Sequence, residues 1–374
     1  MPPSPHEDVL YDRTAQIVES ARAQVSRTIN TAMVQAYWHI GREIIEVEQK
    51  GESRAGYGEG VVKRLAGRLS ARFGRGFANS NVKRMRQFYL AFPNGSRIPQ
   101  QSVGPEKGAA ARHQLVNRGG PFFPPLLTWT HYRLLVAVKS PLARNFYEIE
   151  AAREGWTTRE LERQVASLLY ERLAKSRDKN QILALGKEGH SVIHPRDILK
   201  DPIVLEFLEL DERAHWLEAD LEETIIGRLE SFLLELGKGF CFVARQKRIT
   251  LDGDHFYVDL VFYNRLLRCF VLIDLKLGKL THQDLGQMQM YVNIFDRHHR
   301  EDHEAPTVGI VLCSDKNDAM VRITLPDDNE QVHASRYQLY LPTEEELRVE
   351  LEREREVAER ALRFAAADEK SDGD

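Results

Sequence analysis

Two carboxylates and a lysine stand where apolar strands ordinarily carry no charge. The run Tyr257 to Tyr263 holds Asp259 among Val258, Leu260, Val261 and Phe262, and the run Leu272 to Lys276 holds Asp274, with Lys276 two places on. Burying a carboxylate is costly unless it is paired or bound to a metal. The pattern is therefore either an internal ion-pair network or a metal site. Side chains alternate along a strand, so Asp274 and Lys276 share one face while Leu275 points the other way. If Arg265 and Leu266 form a two-residue turn, Asn264 pairs with Leu267 and Asp259 faces Leu272. Asp259 then lies diagonal to Asp274 on the same face, within reach of one ion. A slip by one residue would send Asp259 to the opposite face.

Two carboxylates offer hard oxygen ligands suited to Mg²⁺ or Mn²⁺, ions that keep several waters and take phosphate oxygens. The backbone carbonyl of Leu275 is a candidate third ligand. Glu222, near the start of the preceding helix and on its inward side, could join directly or through water. Glu223 and Glu235 compete with it for that role. An ion here would lower the pKa of a bound water and polarise a phosphorus–oxygen bond, with Lys276 neutralising developing charge or orienting the water. Gln287 would orient Lys276 or contact a nucleic-acid backbone. The competing reading is a buried Asp–Lys pair with a structural role alone. A second in-strand Asp at hairpin distance, followed by Gln287 and Tyr291 on one helix, favours the metal.

The elements that must position these residues are legible around them. A helix is expected from about Ala219 to Leu236, then a strand from Phe240 to Leu251 ending at the hairpin pair Asp252-Gly253. Strands follow from His255 to Tyr263 and from Leu267 to Lys276. Thr281 caps a helix through Phe295, and the apolar run Pro306 to Cys313 reads as a strand buried on both faces. A last strand runs from Tyr337 to Leu341, while a short helix from Val204 to Leu210 opens the region after Asp201-Pro202. Helix, three meandering strands, helix, strand predicts an α/β core with a mixed sheet over residues 201–342. Residues 343–374 read as a charged helical tail.

The first 175 residues read as an all-helical domain. Ile17, Ala21, Val25, Ile29, Val34, Trp38 and Ile44 mark one stripe on one long helix, or two nearly continuous ones, from about Tyr11 to Gln49. Gly56 to Gly60 reads as an interhelical turn. The next two helices carry Arg64, Arg68, Arg72 and Arg75, then Lys83, Arg84 and Arg86, with Asn79 or Ser80 as the second cap. Helix, glycine turn and basic helix outline a helix-turn-helix, and equally an antiparallel hairpin with solvated charges; concentrated positive charge leans toward nucleic acid. Residues 93–125 read as a flexible insertion. Pro141 starts a helix, Thr157 and Glu160 form a capping box, and residues 176–200 read as a linker. His190 and His194 there, His282, and the cluster His298, His299 and His303 read as solvated rather than as ligands.

Length and composition are those of a soluble multidomain chain: 374 residues, net charge −4, 42% hydrophobic. The charge gives no global signature of nucleic-acid binding, so any basic surface is local. Cys241, Cys269 and Cys313 lie apart in apolar runs and read as buried free thiols in a reducing compartment. No signal peptide and no membrane-spanning run is recognisable, so a cytoplasmic location is expected.

Taken together, Glu222, Asp259, Asp274-Leu275-Lys276 and Gln287-x-x-x-Tyr291 resemble the PD-(D/E)XK nuclease superfamily, including its RecB-like Gln-x-x-x-Tyr element. Val258 replaces the proline of the namesake motif, and Asp274 stands where many relatives have Glu. The wider sequence resembles the YhcG-type family, through Gly41-Arg42-Glu43-Ile44, Arg72 to Phe77, Met85 to Tyr89, Trp129 to Leu135, Phe232 to Gly237 and Asp274 to Lys279. That resemblance implies an N-terminal winged-helix-like DNA-binding region and a C-terminal restriction-endonuclease-like domain. It implies a Mg²⁺-dependent (or Mn²⁺-dependent) endonuclease acting on DNA, including branched or repair intermediates, with Tyr291 on the nucleic acid and homo-oligomers possible. The rival reading is a binding protein on a nuclease-like fold that no longer cuts.

Overall fold

The computed structural model describes residues 5–50, 55–96, 98, 121–175, 179–210, 217–326 and 328–343. Most of the expected insertion, and the tail beyond residue 343, lie outside them. The chain divides into two compact units, Met1–Val165 with Gly186–Gly189 and Ala166–Leu185 with His190–Asp374. No described helix is long and apolar enough to cross a membrane.

The first unit is helical: α1 (Pro5–Lys50), α2 (Ala55–Phe73), α3 (Asn79–Ala91), α4 (Trp129–Ala137), α5 (Pro141–Glu154) and α6 (Thr158–Ala166). Val34, Trp38 and Ile44 of the α1 stripe are buried, but Ile17, Val25 and Ile29 are exposed, so the stripe meets the core only in its second half. Gly56, Gly58 and Gly60 fall inside α2 rather than before it. Ala78, not Asn79 or Ser80, is the N-cap of α3, and Asn81 turns back to donate to the Gly76 carbonyl at 2.5 Å. The Thr157–Glu160 capping box forms as expected. Phe88 packs against Phe123, Trp129 and Tyr132 at centroid distances of 4.9–5.5 Å. No β-strand occurs among the described residues of this unit, so the expected wing is absent from them.

The second unit opens with α7 (Leu169–Lys175) and α8 (Lys179–Glu188), the latter a helix within the expected linker. Asp201-Pro202 leads into β1 (Ile203–Val204) and a 3₁₀ turn, not an α-helix. The expected helix to Leu236 is two, α9 (Glu218–Gly227) and α10 (Leu229–Leu236), separated by non-helical Arg228. Strands β2 (Phe240–Leu251), β3 (Asp254–Asn264) and β4 (Cys269–Lys279) precede α11 (His282–His298), β5 (Val308–Asp315), α12 (Asp318–Thr324) and β6 (Val332–Gln338). The last strand thus lies earlier than expected, and α12 is an addition.

The six strands form one mixed sheet in the order β1-β6-β5-β4-β3-β2, antiparallel across β2, β3 and β4 and parallel from β4 to β1. Alternation divides its side chains between two layers. Leu260, Phe262, Val271, Ile273 and Leu275 pack with Leu221, Ile225 and Phe232 of α9 and α10. Val261, Leu272 and Val311 pack with Leu285, Met288 and Val292 of α11. Gly309 lets α11 approach β5 closely, since a Cβ there would stand 2.5 Å from Met288 Sδ. The β2–β3 turn is Asp252-Gly253, both with positive φ (49° and 94°), the geometry a two-residue hairpin requires. Cys269 and Cys313 are buried, but Cys241 is exposed on the edge strand. His190 is buried, its Nε2 2.8 Å from the Asp197 carbonyl, rather than solvated.

Candidate active site

Register decides whether the acidic residues meet. Asn264 pairs with Cys269, closing a four-residue loop instead of a two-residue turn. The reason is local: buried Asn264 folds its Oδ1 onto the amides of Leu266 and Leu267 at 3.0 and 3.1 Å, and Arg268 turns the chain with φ of 55°. The shift from the expected pairing is two residues, which preserves the face. The ladder ends at the Leu260–Ile273 pair, and one step beyond it Asp259 reaches β4 through its side chain.

The carboxylates are tied in by the backbone and by one ammonium. Asp259 Oδ2 accepts from the Leu275 amide at 2.8 Å. Lys276 Nζ lies 2.8 Å from Asp274 Oδ2 and 3.6 Å from Glu218 Oε2 at the head of α9. Burial, then the neighbouring Asp259 charge, pushes the Asp274 carboxyl up to about 6. Burial likewise raises Asp259, against the opposing pull of the Leu275 hydrogen bond and Lys276. Burial alone would lower Lys276, but Asp274, Glu218 and Asp259 together hold its ammonium above the ordinary lysine value.

The three glutamates separate cleanly. Glu222 is 6% exposed, and its Oε1 accepts no hydrogen bond, with Arg245 Nε 3.6 Å away as its ion-pair partner. Its Oε2 accepts from Gln246 Nε2, which also donates to Asp259 Oδ1 at 3.0 Å. Burial raises the Glu222 carboxyl as well. Glu223 is exposed. Glu235 is wholly buried on Arg172 (2.5 Å) and accepts from the Val204 amide at 3.0 Å, so it serves the core and not the site. Arg172 also holds the Ser167 and Pro202 carbonyls, which ties α7 to the segment that leads into β1.

Gln287 and Tyr291 turn to each other rather than to Lys276. Gln287 Nε2 donates to the Tyr291 hydroxyl, and that hydroxyl donates to the Tyr257 carbonyl at 3.0 Å. Tyr291 is 0% exposed, so it props strand β3 from beneath and cannot touch nucleic acid.

In the first unit, Arg64, Arg68, Arg72 and Arg84 are exposed, as is Lys83. Arg75 lies in a 3₁₀ turn, and its side chain is outside the described residues. Arg86 instead grips Glu48 through Nε at 2.8 Å, joining α3 to α1. Arg84 and Arg133 line a groove of about 700 Å³ between α3, α4 and α6.

The site fits a divalent cation in its donor chemistry. Burial raises the affinity of all three carboxylates for protons, and Glu222 Oε1 is buried without a hydrogen bond. Among the described residues no three such side chains already form a cage. The physical cause is visible, since the Gln246 amide stands between Glu222 and Asp259 and the Lys276 ammonium sits on Asp274. Gln246, Glu218 and Arg245 are the participants that sequence reasoning missed. Gln246 was reachable, because the Asp252-Gly253 turn pairs Leu251 with Asp254, and counting back along the ladder sets Gln246 against Asp259.

Residues 196–352 match the family described as YhcG PDDEXK nuclease domain, and residues 13–172 match the DUF1016 N-terminal domain. A repair endonuclease from Pyrococcus abyssi shares 17% identity over 35% of this chain and 50% of its own, at a TM-score of 0.24. The EndoMS-dsDNA2 complex shares 19% over 36% and 50%, at 0.25. Likenesses this distant carry no weight on substrate. The Escherichia coli (strain K12) protein described as "Putative nuclease YhcG" is 40% identical over 365 residues, 95% of this chain and 96% of that protein. The chain therefore belongs to the YhcG family, whose C-terminal region is a PDDEXK nuclease domain.

Proposed function

We propose that the protein is a divalent-metal-dependent endonuclease that hydrolyses phosphodiester bonds in DNA. The observation that carries the reading is the juxtaposition of Asp259 and Asp274 with Lys276 2.8 Å from the latter, beside a buried Glu222. Asp259, Asp274 and Glu222 would hold Mg²⁺ or Mn²⁺, with the Leu275 carbonyl as a further donor. When bound, the ion supplies an activated water and polarises the phosphate. In the ion-free protein its acidic neighbours favour the charged form of Lys276, which suits a role by charge, on the phosphate or on the attacking water. The Gln287–Tyr291–Tyr257 chain keeps β3, and with it Asp259, in place. Exposed Arg64, Arg68, Arg72 and Arg84, with Lys83, would bind the DNA backbone.

Purified protein incubated with linear, nicked and four-way DNA, in Mg²⁺, Mn²⁺ or EDTA, tests the reading. Cleavage of at least one substrate that stops in EDTA is expected. Retention of DNA without cleavage of any of them would favour a binding protein on a nuclease fold.

A further inference from the structure

Gln246 holds an unusual position on its ladder. Arg245 pairs with Leu260 and Lys247 with Val258, yet Gln246 between them has φ of 44°. Side chains other than Gly, Asn and Asp seldom adopt that left-handed conformation, and it persists only where the surroundings hold it. Here the holding contacts are its own. The side-chain amide nitrogen carries two hydrogens, and it donates both to Glu222 Oε2 on α9 and to Asp259 Oδ1 on β3. A neutral donor thus joins two carboxylates that would otherwise repel each other. Glu222 and Asp259 are two of the three carboxylates that would hold a divalent cation.

We propose that the Gln246 amide is a built-in stand-in for the divalent ion, joining Glu222 to Asp259 in the ion-free protein and yielding their oxygens when a cation binds. The inference rests on the metal-dependent reading above. A neutral amide suits the task because it satisfies the carboxylates without the strength of an ion pair, so a doubly charged ion displaces it. An arginine or lysine at this position would compete with the ion far harder. Gln246 is exposed on the edge strand β2, so the released side chain has solvent to enter. Gln246 is then a positioning residue: it keeps helix and strand converged and makes the site stable while empty.

The test is calorimetric titration of Mg²⁺ into the full chain, wild type and Gln246→Ala, with melting curves in EDTA and in saturating Mg²⁺. Removing a bond that the ion must break should tighten Mg²⁺ binding about fivefold, the factor set by one neutral hydrogen bond. The variant should melt below wild type in EDTA and level with it in saturating Mg²⁺. A side chain that merely braces the hairpin would lower both midpoints equally and leave affinity unchanged, which overturns the inference. Weaker Mg²⁺ binding overturns it too. Gln246→Leu, which keeps the volume and removes the donor, replaces the alanine variant if that fails to fold. Wild-type protein that takes up no divalent ion would overturn the metal reading and this inference together. Normal wild-type uptake with unaltered variant affinity overturns the inference alone.

Discussion

Asp259 accepts, at 2.8 Å, the backbone amide of Leu275, the residue between Asp274 and Lys276. This bond locks one carboxylate to the strand that carries the other two functional groups, so all three move as one piece. Main-chain donors do not wander as side chains do, and the site inherits the rigidity of the sheet.

Asp274 is the residue whose charge is least comfortable. Its folded-state carboxyl is raised to about 6, above the ordinary aspartate value, so the native state binds the proton more tightly than the unfolded chain. Ion-free protein should therefore gain stability as pH falls through about 6 and lose it as pH rises. Asp274→Asn should remove that pH dependence. Denaturant melts in EDTA across the pH range check this. Mg²⁺ affinity of the wild type should rise over the same interval.

Glu222 on α9 and Glu235 on α10 make a controlled pair on consecutive helices. Glu235→Gln leaves the Arg172 guanidinium buried without its counter-charge and should cost about 3–5 kcal/mol with no change in Mg²⁺ affinity. Glu222→Gln should do the reverse, leaving stability nearly intact and weakening Mg²⁺ binding. Chemical denaturation alongside calorimetry separates the two.

The same pair shows what the sequence can reveal. The period-two pattern of β3 and β4 was enough to expect Asp259 beside Asp274 and Lys276 despite a misjudged turn, because an error of two residues leaves parity unchanged. The choice between Glu222 and Glu235 was not available, because it depends on Arg172, 63 positions away. Tyr291 was misread for a related reason: an aromatic hydroxyl on a helix looks alike whether it meets solvent or, as here, a strand carbonyl. The exposed half of the α1 stripe shows that helical periodicity reports a face and not what covers it.

Tyr291→Phe should cost about 1 kcal/mol of stability through the lost bond to the Tyr257 carbonyl, and leave DNA affinity at fixed salt unchanged. Equilibrium unfolding and a DNA-binding isotherm read the two effects.

Arg64, Arg68 and Arg72 lie exposed on α2. Changing all three to Ala should weaken DNA binding and flatten the slope of log affinity against log salt by about 1 per lost phosphate contact. Arg86→Ala should instead lower stability through the lost Glu48 pair and leave that slope alone. Binding isotherms at several salt concentrations distinguish them.

The most direct measurement is the single-turnover rate of DNA cleavage in Mg²⁺ for wild type, Asp274→Asn and Lys276→Ala, prepared in parallel and confirmed folded. Loss of a preorganised charge at the reacting phosphate should slow each variant by about 100-fold or more. Cleavage by both variants at the wild-type rate would contradict the assignment of the site.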